Sequence, residues 1–169
     1  MNIVLIGYRG TGKSVVGKLL AERLQMQSIG MDVEIVKKAG MSIPEIVDKF
    51  GWSKFRDIES EKVREMAELD NIIIDTGGGI IERPENIETL QPNSLIFWLK
   101  ASVDTIVLRI QGDTERPSLT AGKTFTEEVS EVLGRRNLKY KRAANYEIDT
   151  DELTPEQVVD RIVEICRRG

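Results

Sequence analysis

Ile3-Val4-Leu5-Ile6-Gly7-Tyr8-Arg9-Gly10-Thr11-Gly12-Lys13-Ser14 decides the fold of this chain. Its second part has the form G-x-x-x-x-G-K-[ST], and its context completes the pattern. An apolar run stands directly before it, and Val15, Val16, Leu19, Leu20 and Leu24 follow at helical spacing. Glycines let the backbone bend so that successive N–H groups point inward at phosphate oxygens. The helix beginning near Lys13 adds the positive end of its dipole. In such a loop the lysine reaches the β- and γ-phosphates and the serine places a hydroxyl on Mg²⁺. The stretch specifies a nucleoside triphosphate. It does not by itself separate kinase, GTPase and ATPase.

Outward from this loop, apolar strands alternate with helical patterns, which indicates an α/β fold with a mainly parallel sheet. A weak strand is expected near residues 27–31. Ser42-Ile43-Pro44-Glu45 reads as a capping box with an early proline, opening a short helix that carries Ile46, Val47 and Phe50. Residues 55–68 read as a helix packed through Phe55, Ile58, Val63 and Met66. Ile72-Ile73-Ile74 is a buried strand running into Asp75-Thr76-Gly77-Gly78-Gly79, and residues 95–99 form another strand. Val103, Ile106, Val107 and Ile110 mark the next helix. Residues 112–123 are polar and read as a mobile loop, after which Thr126 opens a helix. A short strand at 146–149 precedes a final helix. That helix is capped by Thr154-Pro155-Glu156-Gln157, with Val159, Ile162, Val163 and Cys166 on its apolar face. Trp98 and Cys166 read as core residues.

The chain has 169 residues, 40% hydrophobic and 31% charged, which is the composition of one globular domain. A net charge of -4 gives no overall electrostatic case for nucleic acid or an anionic membrane. No apolar run approaches the roughly 18 residues of a membrane span. One cysteine rules out an intrachain disulfide, and there is no histidine. Catalysis therefore falls to carboxylates, Lys, Arg, hydroxyls and bound ions. These features fit the cytoplasm. No Asn/Thr-Lys-x-Asp segment of a GTPase is present. A short chain with an Arg-bearing polar loop favours phosphoryl transfer to a small acceptor.

The chain resembles the shikimate kinase family over nearly its whole length. Five segments carry the resemblance: the phosphate loop; Asp32-Val33-Glu34-Ile35 with Gly40-Met41-Ser42-Ile43; Phe55-Arg56-Asp57-Ile58-Glu59; Gly77-Gly78-Gly79; and Arg116-Pro117 with Arg136-Asn137-Leu138-Lys139-Tyr140. The resemblance implies a three-layer α/β/α P-loop kinase fold with a central five-stranded parallel sheet. It implies one domain over 1–169, a substrate-binding segment at about 32–60 and a lid at about 112–124. The implied reaction moves the γ-phosphate of ATP to the 3-hydroxyl of shikimate, with Mg²⁺. The expected partners are these small molecules, not nucleic acid or membrane, and the expected state is a monomer.

Residue by residue, the resemblance places ATP on Gly10, Thr11, Gly12, Lys13, Ser14 and Val15, with Arg109 and Pro155 at the adenine. Shikimate falls on Asp32, Arg56, Gly77, Gly78, Gly79 and Arg136. Lys13, Asp32 and Arg116 carry the chemistry. An arginine fork suits a carboxylate because it binds bidentately. Each assignment has a plainer counterpart in the residues alone. Arg56 could pair on the surface with Asp57 or Glu59. Arg136 could belong to a solvated basic face with Arg135, Lys139 and Lys141. Asp32 could cap the Val33 helix, Arg109 and Arg116 could face solvent, and Pro155 could be a first-turn proline. Trp52 precedes the substrate segment and could lie near the site.

The chain departs from the family at two points. The family usually carries Asp-x-Asp where this chain has Gly30-Met31-Asp32, and the first of those aspartates normally helps to hold Mg²⁺. Asp75 is the candidate replacement, with Ser14 as the other metal residue. The alternative is that Asp75 caps the glycine turn. Asn137-Leu138-Lys139 stands where a proline and leucine are more usual. Two rival readings remain at this level: a kinase of the same fold acting on gluconate or a nucleoside monophosphate, and a nucleotide-binding module without turnover.

Overall fold

The computed structural model describes residues 1–111 and 124–169. Five strands, β1 (Asn2–Ile6), β2 (Gln27–Gly30), β3 (Ile72–Asp75), β4 (Ser94–Lys100) and β5 (Tyr146–Asp149), form one parallel sheet in the order β2-β3-β1-β4-β5. The helices of the described residues are α1 (Lys13–Leu24), α2 (Met31–Ala39), α3 (Ile43–Ala67), α4 (Pro84–Leu90), α5 (Val103–Ile110), α6 (Phe125–Ala143) and α7 (Pro155–Arg168).

Strand periodicity builds the three layers. Successive side chains point to opposite faces. Val4, Ile6, Ile72, Ile74, Ile96 and Trp98 meet Val63, Met66, Ile87, Leu90 and Tyr140 on one face. Ile3, Leu5, Ile73, Phe97 and Leu99 meet Val16, Leu20, Val159, Ile162 and Val163 on the other. Because both faces of the inner strands β1, β3 and β4 are covered, those strands read as continuous apolar runs rather than alternating ones.

β1 lies at the centre, with β3 on one side and β4 on the other. Ligands of open α/β sheets bind outside the carboxyl ends of the strands, where the order reverses. The phosphate loop leaves β1 at that point, and the triple glycine leaves β3 beside it. Among the described residues no helix is long and apolar enough to cross a membrane.

The structure corrects several local expectations. The helix opened by Ser42 ends at Phe50 as expected: α3 is two helical segments joined across a kink at Gly51, whose φ of 84° suits glycine, and the second segment starts just before the expected Phe55. The Ser42 side chain accepts from the Glu45 N–H, as its cap should. Phe50 is exposed, although Ile43, Ile46 and Val47 pack. α6 begins at Phe125 rather than Thr126, because Thr124 and Glu127 form a reciprocal capping box there. The same device at Thr154 and Gln157 starts α7 as expected. Residues 80–93, unassigned from sequence, hold α4 between two short 3-10 turns. The expected lid, and Arg116 and Pro117 within it, lie outside the described residues.

Candidate active site

A cleft of about 870 Å³ opens at the carboxyl ends of β1 and β3. Its floor is the phosphate loop, represented by Gly10, Gly12, Lys13, Ser14 and Val15. Asp75, Thr76, Gly77 and Gly78 form one wall. Asp32, Val33, Val36, Ile43 and Pro44, from α2 and the start of α3, form the facing wall. The cleft therefore brings together most of the residues expected to bind nucleotide, acceptor and metal.

Lys13 is 6% exposed, and its Nζ donates to the carbonyls of Gly7 at 2.8 Å and Tyr8 at 2.9 Å. These bonds fold the ammonium back over its own loop in the cleft floor. Thr11 braces the same turn by donating from Oγ1 to the Tyr8 carbonyl at 2.9 Å. Val15 is not buried with Val16 and Leu20; it is 52% exposed and turns toward the cleft. Ser14 Oγ donates to Asp75 Oδ2 at 2.5 Å. Asp75 thus reaches the phosphate loop across the sheet edge.

Asp32 is half-buried in the first turn of α2 and lines the cleft. It is not the helix cap: that position is Gly30, which offers no side chain.

The two arginines expected to clamp a carboxylate sit at the triple glycine, and neither is a surface residue. Arg136 is 4% exposed on α6, and its Nε donates to Glu82 Oε1 at 3.2 Å. The guanidinium lies 5.9 Å from the Tyr8 ring centre, and Nη1 sits 3.4 Å from where a Cβ on Gly78 would be. Arg56 pairs through Nη1 with Glu59 at 2.8 Å, as the plainer reading had it, but the pair is buried, at 11% and 0% exposure. The rings of Trp52 and Phe55 flank the Arg56 guanidinium at 5.4 and 5.1 Å. Asp57 instead meets Arg83. A Cβ on Gly79 would fall 2.1 Å from Arg56 Nη2, so glycine at 79 is what admits the guanidinium.

Tyr140, one turn after Arg136, donates its hydroxyl to the Gly78 carbonyl at 2.5 Å. Burial pushes that hydroxyl up to about 12, so it remains a donor. Glu59, Glu82 and Tyr140 were not singled out from sequence as site residues. Their roles come from contacts with residues distant in the chain, except Glu59, whose spacing from Arg56 was visible. Arg9, which also lines the cleft, was an unassigned position of the phosphate motif.

Arg109 is exposed yet tied down. It donates to the Gly10 carbonyl at 3.3 Å and to Thr150 Oγ1 and O at 3.1 and 3.2 Å, joining the phosphate loop to the turn after β5. Pro155 is the exposed first residue of α7, as a first-turn proline should be.

The comparisons with known proteins agree with this geometry. The family profile described as shikimate kinase matches residues 9–167. A shikimate kinase of Thermodesulfovibrio yellowstonii is 42% identical, over 99% of this chain and 95% of that protein. One from Caldicellulosiruptor bescii is 38% identical, over 97% and 94%. A solved structure of Acinetobacter baumannii shikimate kinase in complex with shikimate superposes with a TM-score of 0.94 at 30% identity, covering 99% of this chain and 93% of that one. Phosphate loop, paired buried arginines and near full-length similarity lead to one conclusion: the chain belongs to the shikimate kinase family.

Proposed function

We infer that this enzyme transfers the γ-phosphate of ATP to the 3-hydroxyl of shikimate, giving shikimate 3-phosphate and ADP in aromatic amino-acid biosynthesis. The observation that carries the acceptor is the pair of buried arginines, Arg56 and Arg136, set at the triple glycine a short way from the phosphate loop. Buried guanidinium groups held by Glu59 and Glu82 are pre-positioned forks for a carboxylate, which shikimate supplies.

In this reading Gly10, Thr11, Gly12, Lys13, Ser14 and Val15 receive the ATP phosphates, with Arg109 and Pro155 at the nucleoside end. Arg109 is already bonded to the Gly10 carbonyl, which supports that placement. Asp32 orients the 3-hydroxyl and accepts its proton as the oxygen attacks the γ-phosphorus. The new O–P bond forms as the bond to the β-phosphate oxygen breaks, and ADP leaves. Lys13 exchanges its loop carbonyls for phosphate oxygens, and Arg116 neutralises charge on the phosphoryl group in flight. Backbone N–H groups of Gly77, Gly78 and Gly79 face the acceptor. The hydroxyl of Ser14 suits Mg²⁺, a hard cation that, when bound with ATP, neutralises the β- and γ-phosphates. Residues of about 32–60 form the acceptor wall and about 112–124 the lid. A cytoplasmic monomer completes the reading.

Offering the enzyme MgATP with shikimate, gluconate or a nucleoside monophosphate tests this directly. Phosphorus NMR should show a new monoester at the 3-oxygen with shikimate alone. Equal turnover of gluconate would contradict the acceptor assignment.

A further inference from the structure

Ser14 and Asp75 stand 61 positions apart in the chain, yet their side chains share a 2.5 Å hydrogen bond inside the cleft. Ser14 is the second residue of α1, immediately after the phosphate loop. Asp75 closes β3, the strand paired with β1. In P-loop enzymes generally, the loop hydroxyl and an aspartate at a neighbouring strand end are the protein's share of the Mg²⁺ shell.

A second relationship places Gly30 beside Asp75 at this corner. Gly30 is its register partner across the β2–β3 pair. A Cβ built on Gly30 would lie 4.0 Å from Asp75 Oδ2. A side chain at position 30 would therefore start beside both Val33 and the Asp75 carboxylate, so the carboxylate at this corner comes from β3.

The donor set fits the ion. Hydroxyl and carboxylate oxygens are hard ligands, and Mg²⁺ keeps several waters while taking one or two carboxylates and the substrate's phosphates. Among the described residues no three His, Cys, Asp or Glu side chains cluster into a closed cage, so an ion here depends on the nucleotide. The reading of Asp75 as a cap on the glycine turn accounts less well for an oxygen engaged by Ser14.

We propose that Asp75, with the Ser14 hydroxyl, is the carboxylate partner of the Mg²⁺ of MgATP, in the place that a side chain at position 30 would otherwise serve. The proposal rests on the assignment of this cleft to ATP and adds the source of its metal carboxylate. Removing the charge at 75 then has two effects of opposite sign. Metal binding to the nucleotide complex weakens, while metal-free triphosphate loses a repelling neighbour and binds as well or better.

The test measures binding rather than turnover. Adenylyl imidodiphosphate, a non-hydrolysable ATP analogue, is titrated calorimetrically in EDTA, and Mn²⁺ is then titrated onto the analogue complex by electron paramagnetic resonance. Asp75→Asn should lower Mn²⁺ affinity about 10- to 100-fold, the scale of losing an oriented metal partner. Its affinity for the metal-free analogue should hold or rise. Asp75→Ser serves as a smaller neutral variant should the amide disturb the strand end. Gly30→Asp placed in the Asp75→Ser background should recover most of the Mn²⁺ affinity, because a side chain at position 30 would start beside the same oxygen site. Unchanged Mn²⁺ affinity in both single variants overturns the proposal, as does equal weakening of metal and metal-free nucleotide. Failure of the wild-type protein to bind the analogue at all would instead remove the ATP reading beneath it.

Discussion

The Tyr140 hydroxyl donates to the Gly78 carbonyl at 2.5 Å across 62 positions of sequence. The ring is fully buried and stacked on Trp98, with centres 5.6 Å apart. A trans peptide is planar, so turning the Gly78 carbonyl toward Tyr140 turns the Gly79 N–H away from it. Tyr140 thereby sets the aim of the glycine wall that Arg56 and Arg136 share. Tyr140→Phe keeps the ring and removes the donor. Leaving that carbonyl unpaired should cost about 1–3 kcal/mol, read by urea unfolding. In steady-state kinetics the KM for shikimate should rise more than the KM for ATP. Equal changes in both would assign Tyr140 to general stability alone.

Gly79→Ala tests the close approach of Arg56. The added methyl would fall 2.1 Å from Nη2, which is the far end of a flexible side chain. The guanidinium should swing out rather than the backbone break. The expected result is shikimate affinity reduced at least tenfold, measured by calorimetry, with a lowered Tm because the displaced guanidinium leaves Glu59 buried without it. A large loss of Tm with unchanged affinity would contradict it.

Glu59 holds Arg56 from a position with no solvent exposure. Glu59→Gln leaves a nearly buried guanidinium facing a neutral amide. Breaking a buried pair from one side typically costs about 3–5 kcal/mol. Denaturant unfolding should show a loss of that order, together with weaker shikimate binding. An effect below about 1 kcal/mol, the range of an exposed pair, would mean that the pair is solvated in solution.

Acid sensitivity should concentrate where α2 meets α3. Hydrogen bonds from Lys38 and then Lys62 hold Glu65 down at about 2, from an ordinary 4.5. A hydrogen bond from Lys38 likewise lowers Glu61. A depressed carboxylate contributes stability that is complete above its unfolded value and is lost as pH falls through the folded one. The loss should therefore run from about pH 4.5 toward pH 2. Lys38 itself is raised by its bonds to Glu65 and Glu61, so its share is present below 10.5 and lost above. The cluster is exposed, and salt should flatten the dependence. Lys38→Met should remove much of the difference in urea midpoint between pH 5 and pH 3 at low salt. An unchanged difference would place the acid response elsewhere.

The phosphate loop was legible because its meaning is local. Spacing, preceding strand and following helix all lie within Ile3 to Leu24. The inner strands β1, β3 and β4 were legible because both their faces are covered, leaving unbroken apolar runs such as Ile72-Ile73-Ile74, whereas the edge strands β2 and β5 are partly exposed and gave only weak signals. Arg56 and Arg136 were reached through resemblance; their residue types alone favoured surface pairs. What overturned that plainer reading was burial; Arg136 is buried and held by Glu82, 54 positions away. Tyr140 and Glu82 stayed out of sight for the same reason. Residues 80–93 escaped because a seven-residue helix between two 3-10 turns is too short to show periodicity. The plainer alternative of Asp32 as a helix cap failed because Gly30 begins the helix from extended backbone without a side-chain cap.

The most direct test of the account is ADP release from MgATP, followed by a coupled assay with and without shikimate, in wild-type enzyme and in Arg136→Ala. ADP release should depend on shikimate and be lost in the variant at sub-saturating acceptor. ADP release at one rate with and without shikimate would contradict it.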